Sequence, residues 1–599
     1  MIDKKDLLFP HEEIRKTQDA LIIEVDKAIK EHKHLIVHAP TGLGKTVSAI
    51  SPALSHALKT NKLVFFLTCR HTQHKIAIQT LEEIKIKHKK DFNVVDLIGK
   101  KFMCPLQTDI PSSDFNEFCK VTRENCEYYN NMKKINKKLA IEEIKDLTAD
   151  VEKVKEICIN HKVCPFEISM TLLEKANIVI GDYYHILNPK ILDLILNKSK
   201  KSLKDLIIII DEAHNLAERA RELLTHNLST LSLQRAIRES EIEELTEIKN
   251  TLESLNKDIP LDKNPPEILI EKHELKFDSS IIPKLNKITE IKMEKNEISY
   301  SKSIANFLEA WTGEDYGFVR ILSRNFTKQG KINITLSYKC LDPSISLKDI
   351  INESTLILMS GTLKPTEMYK DLLGFKEVTL REYKDPFPKE NRLNLIVPNV
   401  TTRYTQRSNE MYEKIAINCA NIVNLVPGNS AIFFPSYELR NNVNNFFEKL
   451  CKKTTFLEQR NMSRVDKEDF IERFKKYKSA VLLAIAKANF GEGIDLPNLL
   501  KAVIVVGLPL SRPDLETKAL IQYYNEEFEK GMDYGYILPA FIRCLQNAGR
   551  CIRSETDKGI IIFLDERFNS PFYSKLFPDD MPYKITKNPE KEIKEFFNL

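Results

Sequence analysis

An eight-residue loop, A-P-T-G-L-G-K-T, has the residue types and spacing that bind the phosphates of a nucleotide. It matches the pattern G-x-x-x-x-G-K-[ST], except that Ala39 replaces the first glycine. Gly42 and Gly44 let backbone N–H groups turn toward phosphate oxygens at the positive end of the following helix. Lys45 can reach the β- and γ-phosphates, and the Thr46 hydroxyl can ligate Mg²⁺. The predicted ATP-binding residues of this loop are Ala39, Thr41, Gly42, Gly44, Lys45 and Thr46.

A second motif, D-E-A-H, directly follows the apolar run 206–210. The end of such a strand delivers two carboxylates to the edge of the sheet where open α/β folds bind ligands. Asp211 is predicted to hold Mg²⁺, and Glu212 is predicted to polarise the attacking water. A charged turn with Asp211 as a helix N-cap is the alternative. The presence of the phosphate loop favours the catalytic interpretation.

A third motif near the C-terminus places Arg550 and Arg553 three residues apart, shortly after Gln546. On a helix, side chains at i and i+3 share a face. Both guanidinium groups are therefore predicted to point at one γ-phosphate, together with Gln546, as arginine fingers. For the segment taken alone, an ordinary surface helix is the alternative.

Five of the eleven cysteines cluster in one part of the chain. Scattered cysteines are typical of buried small hydrophobic residues, and a disulfide framework is not expected in a reducing compartment. A cluster instead indicates a metal site. Paired C-x-x-C spacing is absent, although a zinc site with four cysteine ligands remains an alternative. The clustered residues are Cys104, Cys119, Cys126, Cys158 and Cys164.

Two parallel sheets are needed to position these motifs. Apolar, β-branched runs alternate with helical segments in two successive series, which is typical of parallel strands buried on both faces. The economical interpretation is two doubly wound α/β domains in tandem. The first series is 35–37, 63–68, 177–180 and 206–210, and the second is 395–397, 431–434, 480–483, 502–506 and 559–564.

Two segments interrupt the first series. Residues 101–170 are rich in lysine, glutamate and cysteine, and residues 220–335 are charged, poor in glycine and predicted to be helical. We interpret both as insertions into the first α/β domain, because they occupy the gaps that separate its motifs.

Composition sets limits on the function. The chain has 599 residues, of which 42% are hydrophobic and 29% charged, with a net charge of +5. Its apolar runs are too short to span a bilayer, and its first residues lack the apolar core of a signal peptide. We expect a cytoplasmic protein without a membrane partner. The small net charge is weak evidence for nucleic acid, so a nucleic-acid footprint would have to come from local clusters such as the lysines at 85–101.

Together these motifs resemble the iron–sulfur XPD group of superfamily-2 DNA helicases, of the archaeal kind, over nearly the whole chain. The additional matches are 15–18 to the glutamine motif, 68–73 to motif Ia, 360–363 to motif III, 386–393 to the start of the second motor domain and 488–495 to motif V. The resemblance implies two RecA-like motor domains, an iron–sulfur insertion and a helical arch. The implied boundaries are 1–100, 171–220 and 339–384 for the first motor domain, 101–170 for the iron–sulfur domain, 221–338 for the arch and 385–599 for the second motor domain.

The resemblance also implies ligands and contacts. A 4Fe-4S cluster would be held by four thiolates, and Cys164 is preferred to Cys158 because Cys-Pro-Phe resembles the family's last ligand step. Cys158 leaves the fourth ligand open. The four chosen ligands are Cys104, Cys119, Cys126 and Cys164. Gln18 and Asp495 are implied in ATP binding, and Lys100 is implied as a DNA contact. Further candidates for DNA contacts, through phosphates or base stacking, are Arg70, His71, Tyr183 and Tyr184, although the two tyrosines could equally belong to the core.

The function that the resemblance implies is an ATP-dependent DNA helicase that moves 5′ to 3′ on single-stranded DNA. It would bind ATP and Mg²⁺ between its motor domains, open forked duplexes and act in nucleotide excision repair, as a monomer with repair proteins as possible partners. A DinG- or FANCJ-like helicase for R-loops or quadruplexes is one alternative. An ATP-gated DNA-binding scaffold is another, although Glu212 and Arg550 argue against an inactive motor.

Overall fold

The computed structural model describes residues 6–40, 42–69, 71–106, 108–112, 114–133, 135–145, 147–240, 242–260, 265–295, 297–327, 329–488, 490, 499–510 and 512–599. The chain forms two compact units. Unit 1 comprises Met1–Val37, Lys45–Arg381 and Pro513–Glu529, and unit 2 comprises His38–Gly44, Glu382–Arg512 and Lys530–Leu599.

The strands form three sheets. The strands up to residue 229 are β1 Leu35–His38, β2 Leu63–Leu67, β3 Val94–Asp96, β4 Ile178–Gly181, β5 Leu206–Asp211 and β6 His226–Ser229. The next are β7 Glu267–Leu269, β8 Phe318–Phe326, β9 Ile332–Cys340, β10 Thr355–Ser360, β11 Thr379–Glu382 and β12 Arg392–Val397. The last are β13 Asn429–Phe434, β14 Thr454–Leu457, β15 Ala480–Ile485, β16 Leu500–Val506, β17 Gly559–Leu564 and β18 Lys584–Ile585.

The helices cover the sheets and build the insertions. The first are α1 Lys16–Lys30, α2 Lys45–Thr60, α3 His71–His88, α4 Lys100–Met103, α5 Phe115–Thr122, α6 Glu127–Asn130, α7 Ile135–Lys145, α8 Val151–Asn160 and α9 Pro165–Leu172. The next are α10 Tyr184–Leu187, α11 Pro189–Ser199, α12 Leu216–Leu223, α13 Thr230–Glu239, α14 Glu243–Leu255, α15 Ile281–Glu294, α16 Ser301–Trp311, α17 Lys348–Glu353 and α18 Thr366–Leu372. The last are α19 Asn409–Leu425, α20 Tyr437–Leu450, α21 Arg464–Lys475, α22 Leu515–Phe528, α23 Leu538–Ala548, α24 Pro571–Ser574 and α25 Pro589–Phe597.

The first sheet has the strand order β11-β1-β10-β5-β2-β4-β3 and belongs to unit 1 apart from the last residues of β1 and β11, His38 and Glu382. Strand β5 lies at its centre and pairs in parallel with both β10 and β2. All six residues of β5 are buried, which explains the unbroken isoleucine run in the sequence. All nine predicted strands of the two series are confirmed. The sequence interpretation missed β3 and β11 at the edges of this sheet, and did not identify β10 as a strand.

Unit 2 contains the second sheet, with the order β14-β15-β13-β16-β17-β12-β18 and parallel pairing throughout. Its two faces carry separate cores. Ile432 and Phe434 pack in one core, whereas Ala431 and Phe433 pack in the other. Alternate residues of β13 are therefore buried on opposite sides, as a sheet covered by helices on both faces requires.

The first insertion lies in unit 1 and is helical among its described residues, from α4 to α9. Helix α4 contacts both α5 and α9, and α7 and α8 pack on each other. A small apolar core holds this part together, with Ile157, Val163 and Ile168 among its buried members.

The second insertion corrects the expectation of a purely helical arch. It contains a four-stranded antiparallel sheet, β6-β9-β8-β7, flanked by helices α13–α16. The charge and low glycine content of this segment favoured helices, but 332–340 alternates apolar and polar residues with a period of two. Ile334, Leu336 and Tyr338 face the core that Trp311 fills. That alternation is the sequence signal for a strand.

Helix α22 packs in unit 1 although it lies far along the chain, within the range predicted for the second motor domain. It contacts β7 and β8 of the antiparallel sheet. The backbone N–H of Leu515 donates to the Glu267 carboxylate, and Lys339 forms an ion pair with Glu516. The chain therefore cannot be divided into its two units at a single position, because Pro513–Glu529 belongs to unit 1.

No helix in the described part of the chain is both long enough and apolar enough to cross a membrane.

Replacing Ile209 with alanine should reduce the free energy of unfolding by about 2–5 kcal/mol, because a fully buried side chain at the centre of the first sheet is removed. Urea denaturation followed by circular dichroism measures the change. Ile86→Ala is the matched control, because Ile86 is 72% exposed and its loss should change stability by less than about 0.5 kcal/mol. Equal effects of the two substitutions would contradict the placement of β5.

Candidate functional site

The phosphate-binding loop lies between β1 and the start of α2, as predicted. Gly42 has φ +84° and Gly44 has φ +83°, a backbone region that favours glycine. A Cβ atom added to Gly42 would lie 2.2 Å from Cζ of Phe387, so the ring leaves room only for glycine. Ala39 is fully buried, and its methyl group is accommodated where the motif has glycine. Lys45 is the first residue of α2, at the end of the helix that favours anions.

The two acidic residues of the second motif stand at the end of β5, but the backbone turns sharply between them. Glu212 has φ +52°, a left-handed conformation that costs a non-glycine residue about 1–3 kcal/mol. The Asp211 carboxylate accepts a hydrogen bond from the Glu212 N–H at 2.9 Å. The Tyr183 hydroxyl is placed to donate to the carbonyl oxygens of Asp211 and Glu212, at 2.5 and 2.9 Å. These bonds hold the turn that aims the Glu212 side chain.

The Glu212 carboxylate is held from two sides. Its Oε1 accepts a hydrogen bond from the Gln73 amide at 3.1 Å, and its Oε2 accepts one from the Ser360 hydroxyl at 3.2 Å. His214 Nδ1 lies 2.7 Å from Ser360 Oγ and 3.3 Å from Thr362 Oγ1. The acidic motif, motif Ia and motif III therefore form one hydrogen-bonded network around Glu212.

Gln73 is a site residue to which the sequence interpretation gave no role. It lies in the first turn of α3, and its amide oxygen accepts from the Thr68 hydroxyl at the end of β2. The only sequence signal was its place inside the segment that resembles motif Ia. Contact with Glu212, 139 residues away, could not be read from that pattern.

The structure corrects the role predicted for Tyr183. Its side chain is 2% exposed and lies beneath the acidic motif, so in this conformation it cannot stack on a base. The core alternative is correct, because the hydroxyl has backbone partners and the ring is fully enclosed. Tyr184 is half-buried at the start of α10, and its predicted DNA contact stays a prediction.

Gln18 is buried in the first turn of α1, where its Oε1 accepts a hydrogen bond from the Arg15 N–H at 3.0 Å. Its role in ATP binding stays a prediction. Three other predicted residues, Thr41, Arg70 and Asp495, lie outside the described residues, as does the side chain of His71.

The two arginines in unit 2 are not on a helix, which corrects the argument from helical spacing. Helix α23 ends at Ala548 with Gly549 as its C-cap, so Gln546 is helical and Arg550 and Arg553 lie in the following turns. The buried carboxylate of Asp557 accepts a hydrogen bond from the Arg553 N–H at 2.8 Å and orders this loop. The predicted finger role of both arginines stays a prediction.

Four of the clustered cysteines lie close to one another. Cys104 ends α4, and both Cys104 and Cys119 contact the apolar group formed by Ile110, Phe115, Phe118 and Met293. Burial raises the pKa of the Cys104 thiol, and the charges of Cys119 and Cys126 raise it further. Burial also raises the pKa of Cys164 to about 12, with Cys119 and Cys104 as neighbouring thiols. All four are partly exposed.

Cys158 differs from these four. It is 0% exposed and belongs to the apolar core of the insertion with Val154 and Ile157. Across the described ranges, no three His, Cys, Asp or Glu side chains form a group that could hold a metal ion. The structure thus distinguishes Cys158 by its burial, not by its distance from the other thiols, because burial raises the pKa of Cys158 to about 12 and the charge of Cys164 raises it further.

Lys100, the predicted DNA contact beside this group, begins α4. Its Nζ lies 4.9 Å from the centre of the Phe166 ring, a cation–π contact that fixes the ammonium group next to Cys164 and Cys104.

Replacing Tyr183 with phenylalanine should lower nucleotide turnover at least about tenfold, because the two carbonyl groups that hold the left-handed Glu212 lose their donor. Nucleotide affinity should be nearly unchanged, since the phosphate loop is untouched. Steady-state hydrolysis and nucleotide titration separate the two effects. Tyr184→Phe is the control and should keep normal turnover. A fully active Tyr183→Phe variant would contradict the proposed support of Glu212.

Two family models match the chain. The DEAD_2 model matches residues 66–233, which contain the acidic motif and the first insertion, and the helicase C-terminal domain model matches residues 419–584. The matches fall in the two halves of the chain that carry the two parallel sheets.

Individual relatives match almost end to end. The ATP-dependent DNA helicase XPD of Sulfolobus acidocaldarius is 26% identical, over 94% of this chain and 97% of its own. The XPD/RAD3 helicase subunit of general transcription and DNA repair factor IIH from Saccharomyces cerevisiae is 22% identical, over 95% of this chain and 88% of its own. A solved XPD helicase shares the fold, with a TM-score of 0.72 at 24% identity over 96% of this chain and 100% of that one. Over nearly its whole length, the chain is therefore similar to helicases of the XPD/RAD3 type.

Proposed function

We propose that the chain is an ATP-dependent DNA helicase of DNA repair that moves 5′ to 3′ along single-stranded DNA and opens forked duplexes. The observation that carries the proposal is the double anchoring of Glu212. One anchor, Gln73, lies three residues after Arg70 in motif Ia, and the other, Ser360, lies in motif III. The residue that activates water is thereby tied to a segment that the family resemblance assigns to DNA. The polarity rests on that resemblance.

ATP hydrolysis needs positioned phosphates, a metal ion and an oriented water. Lys45 and the N–H groups around Gly42 and Gly44 would hold the phosphates, and Thr46 and Asp211 would hold the Mg²⁺ ion. Bound there, Mg²⁺ would neutralise charge on the β- and γ-phosphates. Glu212 would orient and polarise the attacking water, and its two hydrogen-bonded partners would keep its carboxylate in one position.

Coupling between hydrolysis and DNA follows from the same network. A shift of α3 on binding DNA would move Gln73, which donates to Glu212 Oε1. A shift of the segment after β10 would move Ser360, which donates to Glu212 Oε2 and contacts His214. DNA binding can therefore change the position of the catalytic carboxylate, which is the basis that DNA-stimulated hydrolysis requires.

Single-stranded DNA would be held by phosphate contacts and base stacking. Lys100 would contact a phosphate, which the position of its ammonium group over the Phe166 ring supports. Tyr184 would stack on a base, which the partial exposure of its side chain supports. Arg70 and His71 complete the proposed contacts. A repair function would bring repair proteins as partners, and we propose that the helicase itself acts as a monomer.

We further propose that Cys104, Cys119, Cys126 and Cys164 hold a 4Fe-4S cluster. Two observations support the fit: all four donors are sulfur, and all four are partly exposed whereas Cys158 is fully buried. A zinc ion, with bonds of about 2.3 Å to sulfur, would draw the four thiolates into a closed tetrahedral site. A four-iron cluster instead takes one thiolate at each iron. When bound, it would cross-link the segments that carry its ligands.

Replacing Lys45 with alanine should abolish ATP hydrolysis, because the ammonium group that reaches the β- and γ-phosphates is removed. Binding of single-stranded DNA should be nearly unchanged. A DNA-stimulated ATPase assay and fluorescence anisotropy with labelled DNA measure the two quantities.

Lys59→Ala is the matched control for Lys45→Ala. It removes a lysine from the last turn of the same helix, where Lys59 pairs with Asp6 at the surface, and it should keep full activity. Retained DNA-stimulated hydrolysis in the Lys45→Ala variant would overturn the assignment of the nucleotide site. A wild-type protein that binds DNA with ATP but never separates strands would favour the scaffold alternative.

Replacing Cys126 with serine should remove the visible absorbance of the cluster and stop unwinding, because one of four thiolates is lost. Iron analysis, a visible spectrum and a strand-displacement assay on DNA with opposite overhangs measure cluster, activity and polarity together. Cys158→Ala is the control, and it should keep both iron and absorbance because Cys158 lies in the apolar core. Unwinding by a Cys126→Ser protein without iron would refute the cluster proposal.

A further inference from the structure

A buried carboxylate stands where the chain leaves the first sheet for the first insertion. Asp96 is the last residue of β3 and is 4% exposed. Its two oxygens accept hydrogen bonds from two different elements, α3 and α8. A buried charge costs free energy unless it is well paired, so the fold needs both of these hydrogen bonds to keep Asp96 buried.

The first bond reaches the helix of motif Ia. His74 Nδ1 lies 2.7 Å from Asp96 Oδ1, and His74 is itself buried in the first turn of α3. Because a carboxylate can only accept hydrogen bonds, Nδ1 carries the proton. His74 is adjacent in sequence to Gln73, which donates to Glu212. The position of α3 relative to β3 therefore depends on Asp96.

The second bond reaches the insertion. The N–H of Val151, the first residue of α8, donates to Asp96 Oδ2 at 3.1 Å. A carboxylate at a helix N-terminus is favoured by the helix dipole and satisfies an otherwise unbonded N–H group. Val151 is buried and packs with Ile98 and Met103, so this joint excludes water. Helix α8 leads to Cys164, and β3 leads through α4 to Cys104.

A second pair, the buried His185 and the partly exposed Asp182, lies beside the first. His185 Nδ1 is 3.3 Å from Asp182 Oδ1 and 3.0 Å from the Asp182 backbone nitrogen, and Asp182 Oδ1 accepts a hydrogen bond from the Tyr184 N–H at 2.8 Å. Burial raises the pKa of Asp182, but His185, the Tyr184 N–H and His74 outweigh it and the pKa is lowered. Asp96 in turn contributes to the raised pKa of His185, against the effect of burial. The four side chains thus join the motif Ia helix, the turn of Tyr184 and the insertion.

We propose that Asp96 is a positioning residue that locks the motif Ia helix and the cysteine-rich insertion into one fixed relation. The distance along the single strand between the DNA contacts at motif Ia and the contact at Lys100 would then be fixed. The proposal rests on the helicase function proposed above. It assigns Asp96 and His74 a role that motif matching does not give them, since neither belongs to the nucleotide site.

Asp96→Ala tests the proposal, because it leaves the His74 Nδ1–H and the Val151 N–H without this acceptor. The DNA concentration that half-saturates ATPase stimulation should rise about tenfold, the factor that corresponds to one lost interaction of moderate strength. Turnover at saturating DNA should stay within about twofold of wild type, because DNA bound at motif Ia would hold α3, and with it the bond from Gln73 to Glu212, in place. Unwinding of a forked duplex should be lost.

Two further variants separate positioning from general stability. Asp96→Asn keeps both hydrogen bonds, because its amide can donate to His74 in the other tautomer and accept from Val151, so it should restore normal half-saturation. His74→Ala removes the bond between Asp96 and α3 but leaves the bond between Asp96 and Val151, and it should raise half-saturation as Asp96→Ala does. It therefore decides the proposal even if Asp96→Ala fails to fold.

Asp26→Ala is the matched control, since Asp26 is an equally buried carboxylate of unit 1 that pairs with Lys30 at 2.8 Å in α1. It should lower stability without changing half-saturation. Wild-type half-saturation in His74→Ala, or an equal rise in Asp26→Ala, would overturn the proposal. Absence of any DNA stimulation in the wild-type protein would instead overturn the proposed function.

Discussion

The placement of the catalytic carboxylate depends on one buried hydroxyl group. Tyr183 lies beneath the end of β5 and bonds to two consecutive carbonyl oxygens, where the chain takes a conformation that costs about 1–3 kcal/mol at a non-glycine residue. Without that support, the backbone after Asp211 would relax and the Glu212 side chain would leave the reach of Gln73 and Ser360. Strained backbone at a functional site persists only where its surroundings determine it in this way.

The central elements of both sheets could be predicted because their residues are buried on both faces. Strands β5 and β17 read as unbroken apolar runs, and no other local structure explains such runs in a doubly wound domain. The antiparallel sheet was missed because composition was weighed above the alternation in β9. The end of α23 was missed because Gly549 alone is a weak stop signal. Contacts such as His74 with Asp96 depend on tertiary packing, which local patterns do not encode.

The environment of Cys158 could not be inferred from its residue type, but it follows from the face of helix α8 on which the residue lies. Cys158 shares the apolar face of α8 with Val151 and Val154, and this places it in a core rather than at a ligand position. Cys164 is the N-cap of α9, ahead of Pro165, where the chain is extended, and its side chain is partly exposed. The preference for Cys164 as the fourth ligand rests on the sequence resemblance and stays a prediction.

Helix α22 makes the chain harder to divide than its two sheets imply. A fragment that ended with the last strand of the first sheet, at Glu382, would lack α22, and the antiparallel sheet would then expose Glu267, Lys339 and Tyr316 without the groups that they bond. A fragment that began after Glu382 would contain α22 but would lack strands β7 and β8, which this helix contacts. The first half of the chain is consequently incomplete without a segment of the second half. The antiparallel sheet is translated first, and α22 can cover it only after the ribosome has passed residue 529.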